Sequence, residues 1–174
     1  MIQTLTAINL KTIPYSESSL IIHVFSKEKG KLSLIAKGVK KSKTGNLGKL
    51  STFSLNKYHV RGKDEESIKT IMVIETIKTY EKIQLDYDKL QTAYGLIWII
   101  NSIIQENHQA EELFILLENA LDELELANNN NISLILSNFK KDLLFHEGVL
   151  NPNKKNINIE LTLKNYIGKQ MVQL

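Results

Sequence analysis

Ten basic side chains lie between residues 29 and 63, a stretch without any acidic residue. They are Lys29, Lys31, Lys37, Lys40, Lys41, Lys43, Lys49, Lys57, Arg61 and Lys63. Because the whole chain has a formal net charge of +3, the remainder is net negative. A block of one charge sign within a folded segment favours a polyanionic partner, since neutralised phosphates release their counterions. The pattern predicts nucleic-acid binding, with a solvated lysine-rich face as the alternative.

The residue patterns of common enzymes are missing from the sequence. Gly30-Lys31 is followed by Leu32, where a phosphate-binding loop needs a hydroxyl, and no Gly-x-Ser-x-Gly motif occurs. The four histidines, at positions 23, 59, 108 and 146, lack the spacing of metal ligands, and the chain has no cysteine. We therefore expect a protein that is not an enzyme and that holds no metal and no cofactor.

Length and composition suit one ordinary domain or two small ones: 174 residues, of which 43% are hydrophobic and 24% charged. The longest nearly uncharged apolar run, 96–104, is far shorter than the ~20 residues that span a bilayer. The N-terminus has neither the basic nor the apolar region of a secretory signal. We expect a soluble, cytoplasmic protein that does not contact a membrane.

Apolar side chains alternate with period two, in five short segments, up to about residue 78. The alternating residues are Thr6, Ile8 and Leu10; Leu20, Ile22 and Val24; Leu32, Leu34 and Ala36; Phe53 and Leu55, then Tyr58 and Val60; and Ile68, Thr70, Met72 and Ile74. The change of parity within the fourth segment predicts a β-bulge near Asn56-Lys57. Five short strands over residues 1–80 predict an OB-fold barrel, a fold that binds oligonucleotides on one face and its loops.

The period changes to 3.6 after residue 80, which predicts a helical domain over residues 81–174. Four helices are predicted. The first begins at a cap, Asp86 or Asp88, and ends near Asn107, and the second has Glu111 and Glu112 in its first turn. The third begins at a cap, Asn131, and ends at Gly148 and Pro152, and a weaker fourth contains Leu161, Leu163, Ile167 and Met171. The first helix is apolar on most faces, so we expect a central helix with Trp98 in the core. The predicted fold class is α+β: an N-terminal five-stranded OB-fold β-barrel followed by a small C-terminal helical bundle.

A composite motif runs through the basic segment and the residues before it: Tyr15-Ser16-Glu17-Ser18-Ser19, Phe25-Ser26, Gly30-Lys31 and Ala36-Lys37-Gly38-Val39-Lys40-Lys41-Ser42, followed by Leu50, Phe53 and Leu55. Together these residues resemble the N-terminal signature of RecO, a family of bacterial DNA repair proteins. Ala93-Tyr94, Leu113-Phe114, Leu116-Leu117, Phe139 and Gly148-Val149-Leu150-Asn151-Pro152 are similar to the helical part. The resemblance covers about residues 1–152.

The resemblance implies a recombination mediator. Such a protein binds single-stranded DNA, with double-stranded DNA also a potential ligand, and anneals complementary strands. With RecR it helps to load RecA onto strands coated by the single-stranded-DNA-binding protein. Many members carry a four-cysteine zinc motif after the Gly-x-x-x-Pro segment, where this chain has Asn153-Lys154-Lys155-Asn156. The chain also looks short for the family, so contacts that depend on a zinc module are not expected.

The candidate nucleic-acid-binding residues are Lys31, Lys37, Lys40, Lys41, Lys43, Lys49, Arg61 and Lys63. Lysines act on phosphates as point charges and read no bases, so binding is expected to tolerate any sequence. Tyr15, Phe53 and Tyr58 are candidate stacking surfaces, although Phe53 suits the core better. In the helical half, the basic pair Lys140-Lys141 is the candidate docking point for the acidic tail of the single-stranded-DNA-binding protein.

The sequence leaves three other functions open, of which an undetected hydrolase has no motif to support it. An OB-fold RNA-binding protein would carry the same basic surface, because the contacts to 2′-hydroxyl groups that separate RNA from DNA leave no signature in a sequence. A non-enzymatic adaptor could instead use the basic face to bind an acidic protein partner. Strand annealing distinguishes the adaptor, which should not accelerate it.

Overall fold

The computed structural model describes residues 2–41, 46–62, 68–106, 108–150 and 157–172. The predictions that involve Lys43, Lys63 and Pro152 therefore lie outside the described residues. The chain divides into two compact units: Met1–Tyr80 with Gln105–Phe114, and Glu81–Ile104 with Ile115–Leu174. Among the described residues, no helix combines the length and the apolar composition needed to cross a membrane.

The first unit is a closed five-stranded barrel. Its strands are β1 (Ile2–Tyr15), β2 (Ser19–Ser26), β3 (Gly30–Ala36), β4 (Leu55–Arg61) and β5 (Ile68–Lys78), with one short helix, α1 (Asn46–Lys49), between β3 and β4. The strands pair in the order β1-β2-β3-β5-β4, and β4 closes on β1. All pairs are antiparallel except β3 and β5, which are parallel. The predicted OB-fold barrel is confirmed.

The barrel closes around the side chains that alternate inward. On β2 and β3 these are the predicted residues, including Ile22, Val24 and Leu34, all fully buried. Burial of each large aliphatic side chain stabilises the fold by roughly 1.5–3 kcal/mol. The alternating apolar residues of β2 and β3 in the sequence are therefore the ones that face the inside of the barrel.

Register shifts between β4 and β5 change which of their side chains face the inside of the barrel. The pairing of β4 with β5 shifts between Leu55 and Asn56, which confirms the predicted bulge. It shifts again between His59 and Val60, so that β5 turns Ile71 and Ile74 toward the core. The predicted inward face Ile68, Thr70, Met72 and Ile74 is therefore wrong for Ile68 and Met72, which are exposed.

Residues Gln105–Phe114 belong to the barrel unit, an association that strand periodicity does not reveal. The Phe114 ring meets Phe25 edge to face, with a centroid distance of 5.6 Å. At the β2–β3 turn, Gly30 has φ +72°, and a Cβ there would lie 1.9 Å from the carbonyl oxygen of His108. Only glycine satisfies both the positive φ and this close approach.

The remaining elements are helical. They are α2 (Glu81–Leu85), α3 (Tyr87–Ile103), α4 (Glu111–Leu126), α5 (Ile132–His146) and α6 (Ile159–Val172), with a 3₁₀ turn at Asn129–Asn131. Asp86 caps α3, because its carboxylate accepts the backbone N–H groups of Asp88 and Lys89 at 3.0 Å. The four predicted helices are present as α3 to α6, whereas α2 is a short element without a clear periodic signal.

Two predictions about the helices are wrong. Asn131 precedes α5, but its side chain makes no capping hydrogen bond, because the 3₁₀ turn leads directly into the helix. The α3 helix is not buried on all sides: Tyr94 and Trp98 are 51% and 58% exposed, while Leu96 and Ile100 are fully buried. Trp98 is therefore a surface side chain and does not pack in the core.

Candidate nucleic-acid interface

Three of the predicted lysines lie on one turn, which we call the basic turn (Lys37–Lys41). It follows β3 directly and bends through Gly38, whose φ is +69°. The buried Val39 side chain anchors the turn in the barrel core, so Lys37, Lys40 and Lys41 on either side of it are exposed. The alternation that ends β3 thus places three ammonium groups at one end of the barrel.

The basic turn contacts the neighbouring β1–β2 turn. The backbone N–H of Lys40 donates to Ser18 O at 3.0 Å, and its Nζ donates to Ser16 O at 3.2 Å. Lys41 pairs with Glu17 at 3.5 Å, with both side chains largely exposed. An exposed ion pair of this kind contributes little, about 0–1 kcal/mol, so it leaves the ammonium available to another anion.

Lys37 and Lys49 both line a cleft between β3 and β5. The cleft has a volume of about 360 Å³, and residues 71–74 of β5 form its other wall. Lys49, at the end of α1, is half-buried and directs its Nζ toward the carbonyl oxygen of Ile74 at 3.5 Å. Among the described residues, the lining contains these two cations and no carboxylate.

A buried polar network fixes the segment that carries Lys49. Its carbonyl oxygen accepts from the side-chain amides of Asn9 and Asn56 at 3.3 and 2.8 Å. The Tyr58 hydroxyl joins the two amides: it donates to Asn9 Oδ1 at 2.6 Å and accepts from Asn56 Nδ2 at 3.1 Å. Burial raises the pKa of the Tyr58 phenol above its usual value, which keeps the hydroxyl protonated as a donor.

The predicted stacking residues separate into two groups. Tyr58 is fully buried, and Phe53, at φ +72°, is 1% exposed, so neither ring can stack on a base. The prediction for Tyr58 is wrong because the bulge turns that strand position inward. Tyr15, at the end of β1, is 52% exposed and remains a candidate.

The other predicted contacts lie at different levels of the barrel. Arg61 is exposed and pairs in register with Thr70, which in turn pairs with Ile35 near the basic turn. Lys31 is at the opposite end of β3, about 20 Å from Lys37 at ~3.3 Å per residue. Lys37, Lys40 and Lys41 therefore lie together on the basic turn, and Lys37 shares the cleft with Lys49. Lys31 lies at the other end of β3, and Arg61 lies two strands away at the end of β4.

In the second unit, Lys140 and Lys141 are in different environments. Lys140 Nζ pairs with Glu160 at 2.6 Å and lines an apolar groove of about 570 Å³ that also includes Trp98 and Leu161. Lys141 is exposed and does not line that groove. The two lysines thus do not form one continuous basic spot.

Two histidines of the barrel contact polar side chains on neighbouring strands. His59 contacts Thr4 through Nδ1 and Glu75 through Nε2, each at 3.0 Å, and His23 contacts Ser33 at 2.9 Å. Within the described ranges there is no group of three or more His, Cys, Asp or Glu side chains arranged to hold a metal ion.

Barrel topology and charge together define an OB-fold protein with a cationic end. Residues 1–80 match the family described as "Recombination protein O N terminal". The chain is 30% identical over 135 residues to the DNA repair protein RecO of Idiomarina loihiensis, covering 77% of this chain and 56% of that protein. Residues 1–80 thus match the N-terminal domain of the RecO family, and the chain is similar to RecO proteins over most of its length.

Two further relatives carry the same name, DNA repair protein RecO. The protein from Aliivibrio salmonicida is 35% identical over 118 residues, which cover 67% of this chain and 47% of the relative. The protein from Desulforamulus reducens is 28% identical over 159 residues, which cover 91% of this chain and 59% of the relative. The chain thus spans about half the length of the curated relatives it matches.

Sequence reasoning missed the cleft and the network behind it. Asn9 and Asn56 are fully buried, and the strand periodicity alone assigns their amides no role. A polar residue inside an otherwise apolar strand is the signal that could have identified the network, because buried amides need hydrogen-bond partners.

Proposed function

We propose that this chain acts in DNA repair as a recombination mediator that binds single-stranded DNA through the cationic end of its barrel and anneals complementary strands. One observation carries the proposal: Lys37, Lys40 and Lys41 are exposed together on the turn that follows β3 of an OB-fold barrel. Similarity to RecO proteins supports the role in repair, since these relatives are named as DNA repair proteins. The proposal places the protein in the cytoplasm.

The proposed mechanism rests on charge neutralisation. Ammonium groups on flexible stems contact phosphates without reading bases, so a strand of any sequence can bind. Two complementary strands repel each other through their phosphates, and a dense lysine patch reduces that repulsion while the bases stay accessible for pairing. No covalent step is required, so the protein acts without being an enzyme.

An annealing assay tests this function. Two complementary strands, one with a fluorophore and one with a quencher, are mixed with and without the protein, and with strands coated by single-stranded-DNA-binding protein. We expect faster annealing in both conditions and tighter binding to DNA than to RNA of the same sequence. A protein that binds DNA but leaves the annealing rate unchanged would instead be an adaptor, and a preference for RNA would favour the RNA-binding alternative.

The second unit is proposed to dock protein partners, which by family resemblance include RecR and single-stranded-DNA-binding protein, with RecA contacted indirectly. This unit, residues 81–104 and 115–174, carries 8 basic and 10 acidic residues, so it adds little affinity for DNA. Its apolar groove between α3, α5 and α6 is suited to an apolar peptide segment, and Lys140 on its rim can receive an acidic group.

Calorimetry with the acidic tail peptide of single-stranded-DNA-binding protein tests the docking site. We expect heat of binding with the unmodified chain and its loss in the double variant Lys140→Glu with Lys141→Glu. Lys141→Glu alone is the matched control and should bind normally, because Lys141 lies outside the groove. Absence of heat, or full binding by the double variant, would exclude this site.

A further inference from the structure

The open side of β5 is a feature that the proposed phosphate contacts do not use. β3 pairs with β5 only at Ile68, Lys69 and Thr70, while β5 continues to Lys78. In the described part of the chain, no strand pairs with residues 71–74 on the side that faces the cleft. The contact of Lys49 Nζ with Ile74 O shows that a backbone carbonyl points into this space.

The cleft combines three kinds of contact. Met72 and Val73 are 47% and 51% exposed and supply apolar surface, and the β5 backbone supplies hydrogen-bonding groups. Lys37 and Lys49, which also line the cleft, supply positive charge. A ligand that satisfies all three has a flat apolar body, polar edges and a negative charge. A methionine sulfur also makes favourable contacts with aromatic rings.

We propose that this cleft receives one unstacked base of a bound single strand, whose flanking phosphates contact Lys37 and Lys49. This inference rests on the proposed binding of single-stranded DNA and adds a base contact to it. The volume of about 360 Å³ is near the lower end of the range for ligand pockets, ~300–1,000 Å³, which suits a single base with its sugar. Lys37 also belongs to the basic turn, so the strand continues from the cleft onto Lys40 and Lys41.

An acidic extended peptide that pairs with the β5 edge is the competing occupant. Within the described residues, the side of β5 without a strand partner runs from residue 71 to Lys78, but Lys49 Nζ contacts the carbonyl oxygen of Ile74 in its middle and leaves only three and four residues on either side. A stable added strand needs a longer run of free backbone groups, since the mean strand has about 5–6 residues. The observations therefore favour the base.

Abasic oligonucleotides separate base contacts from phosphate contacts. Fluorescence anisotropy compares a thymidine strand with a strand of the same length in which central nucleotides are abasic, so that the number of phosphates is unchanged. We expect the unmodified protein to bind the complete strand about fivefold more tightly, the lower end of what one base contact contributes. The double variant Met72→Ala with Val73→Ala should lose this preference while binding the abasic strand as before.

Ile77→Ala is the matched control, because Ile77 is exposed on the same strand but does not line the cleft. It should keep the fivefold preference, and circular dichroism checks that both variants fold. Equal binding of the two strands by the unmodified protein, or a preference that survives the double variant, would overturn the base-receiving cleft alone. Binding of neither strand would overturn the proposed function as well. An acidic peptide could also displace the thymidine strand from the unmodified protein while the complete and abasic strands bind equally well. That result would assign the cleft to an extended peptide and not to a base.

Discussion

Replacement of Tyr58 by phenylalanine should destabilise the barrel by about 2 kcal/mol. The ring keeps its volume, so the change removes only the hydroxyl and its two hydrogen bonds. Asn56 keeps its bond to the carbonyl of Lys49 at 2.8 Å, whereas Asn9 Oδ1 loses its donor at 2.6 Å. A buried acceptor left without a partner costs about 1–3 kcal/mol, which sets the expected magnitude.

Urea unfolding followed by far-ultraviolet circular dichroism measures this loss. With a dependence of about 1–3 kcal/mol per molar urea, the midpoint should fall by roughly 1 M. Amide hydrogen exchange should show the increased opening at β1 and β4, which the network joins. Tyr15→Phe is the control and should change stability by less than ~0.5 kcal/mol, because Tyr15 is half-exposed. Equal midpoints for the two variants would refute the structural role of the network.

Three further predictions concern stability. Gly30→Ala should lower the melting temperature more than Gly38→Ala: both residues have positive φ, but only Gly30 would place a Cβ against His108. Equal losses would contradict the close approach. Asp86→Ala should lower the free energy of unfolding, measured in urea, by about 1 kcal/mol. Asn131→Ala should lower it by less than ~0.5 kcal/mol, because only Asp86 makes capping hydrogen bonds. A larger loss for Asn131→Ala than for Asp86→Ala would exclude this cap assignment. A chelator should leave the melting temperature and annealing unchanged, whereas a fall of several degrees restored by zinc would reveal a metal site.

The second and third strands could be predicted from the sequence because their signals are local. Alternating residues from Leu20 to Ala36, with a turn at Gly30, specify a hairpin whose two strands remain in register. The basic turn could be placed for the same reason, since it begins where that alternation ends. The bulge was also visible, as a change of parity before Tyr58.

The cleft could not be predicted, because it depends on where distant strands stop pairing. The parallel contact between β3 and β5 ends at Thr70, and a second register shift reverses the side chains that follow it. Trp98 was misplaced for a related reason: an apolar helix carries no information about how many neighbours cover it. These features arise from tertiary pairing and packing, which periodicity along one element does not contain.

The salt dependence of single-strand affinity tests the central claim most directly. Each phosphate contact on a single strand contributes about 0.7 to the slope of log affinity against log salt concentration. Neutralising Lys37, Lys40 and Lys41 to glutamine should therefore lower the slope by about 2, equally for all sequences. A control variant with the same net charge, Lys29, Lys57 and Lys169 to glutamine, should keep the slope of the unmodified protein. An unchanged slope in the folded first variant, or an equal loss in the control, would contradict DNA binding at the basic turn.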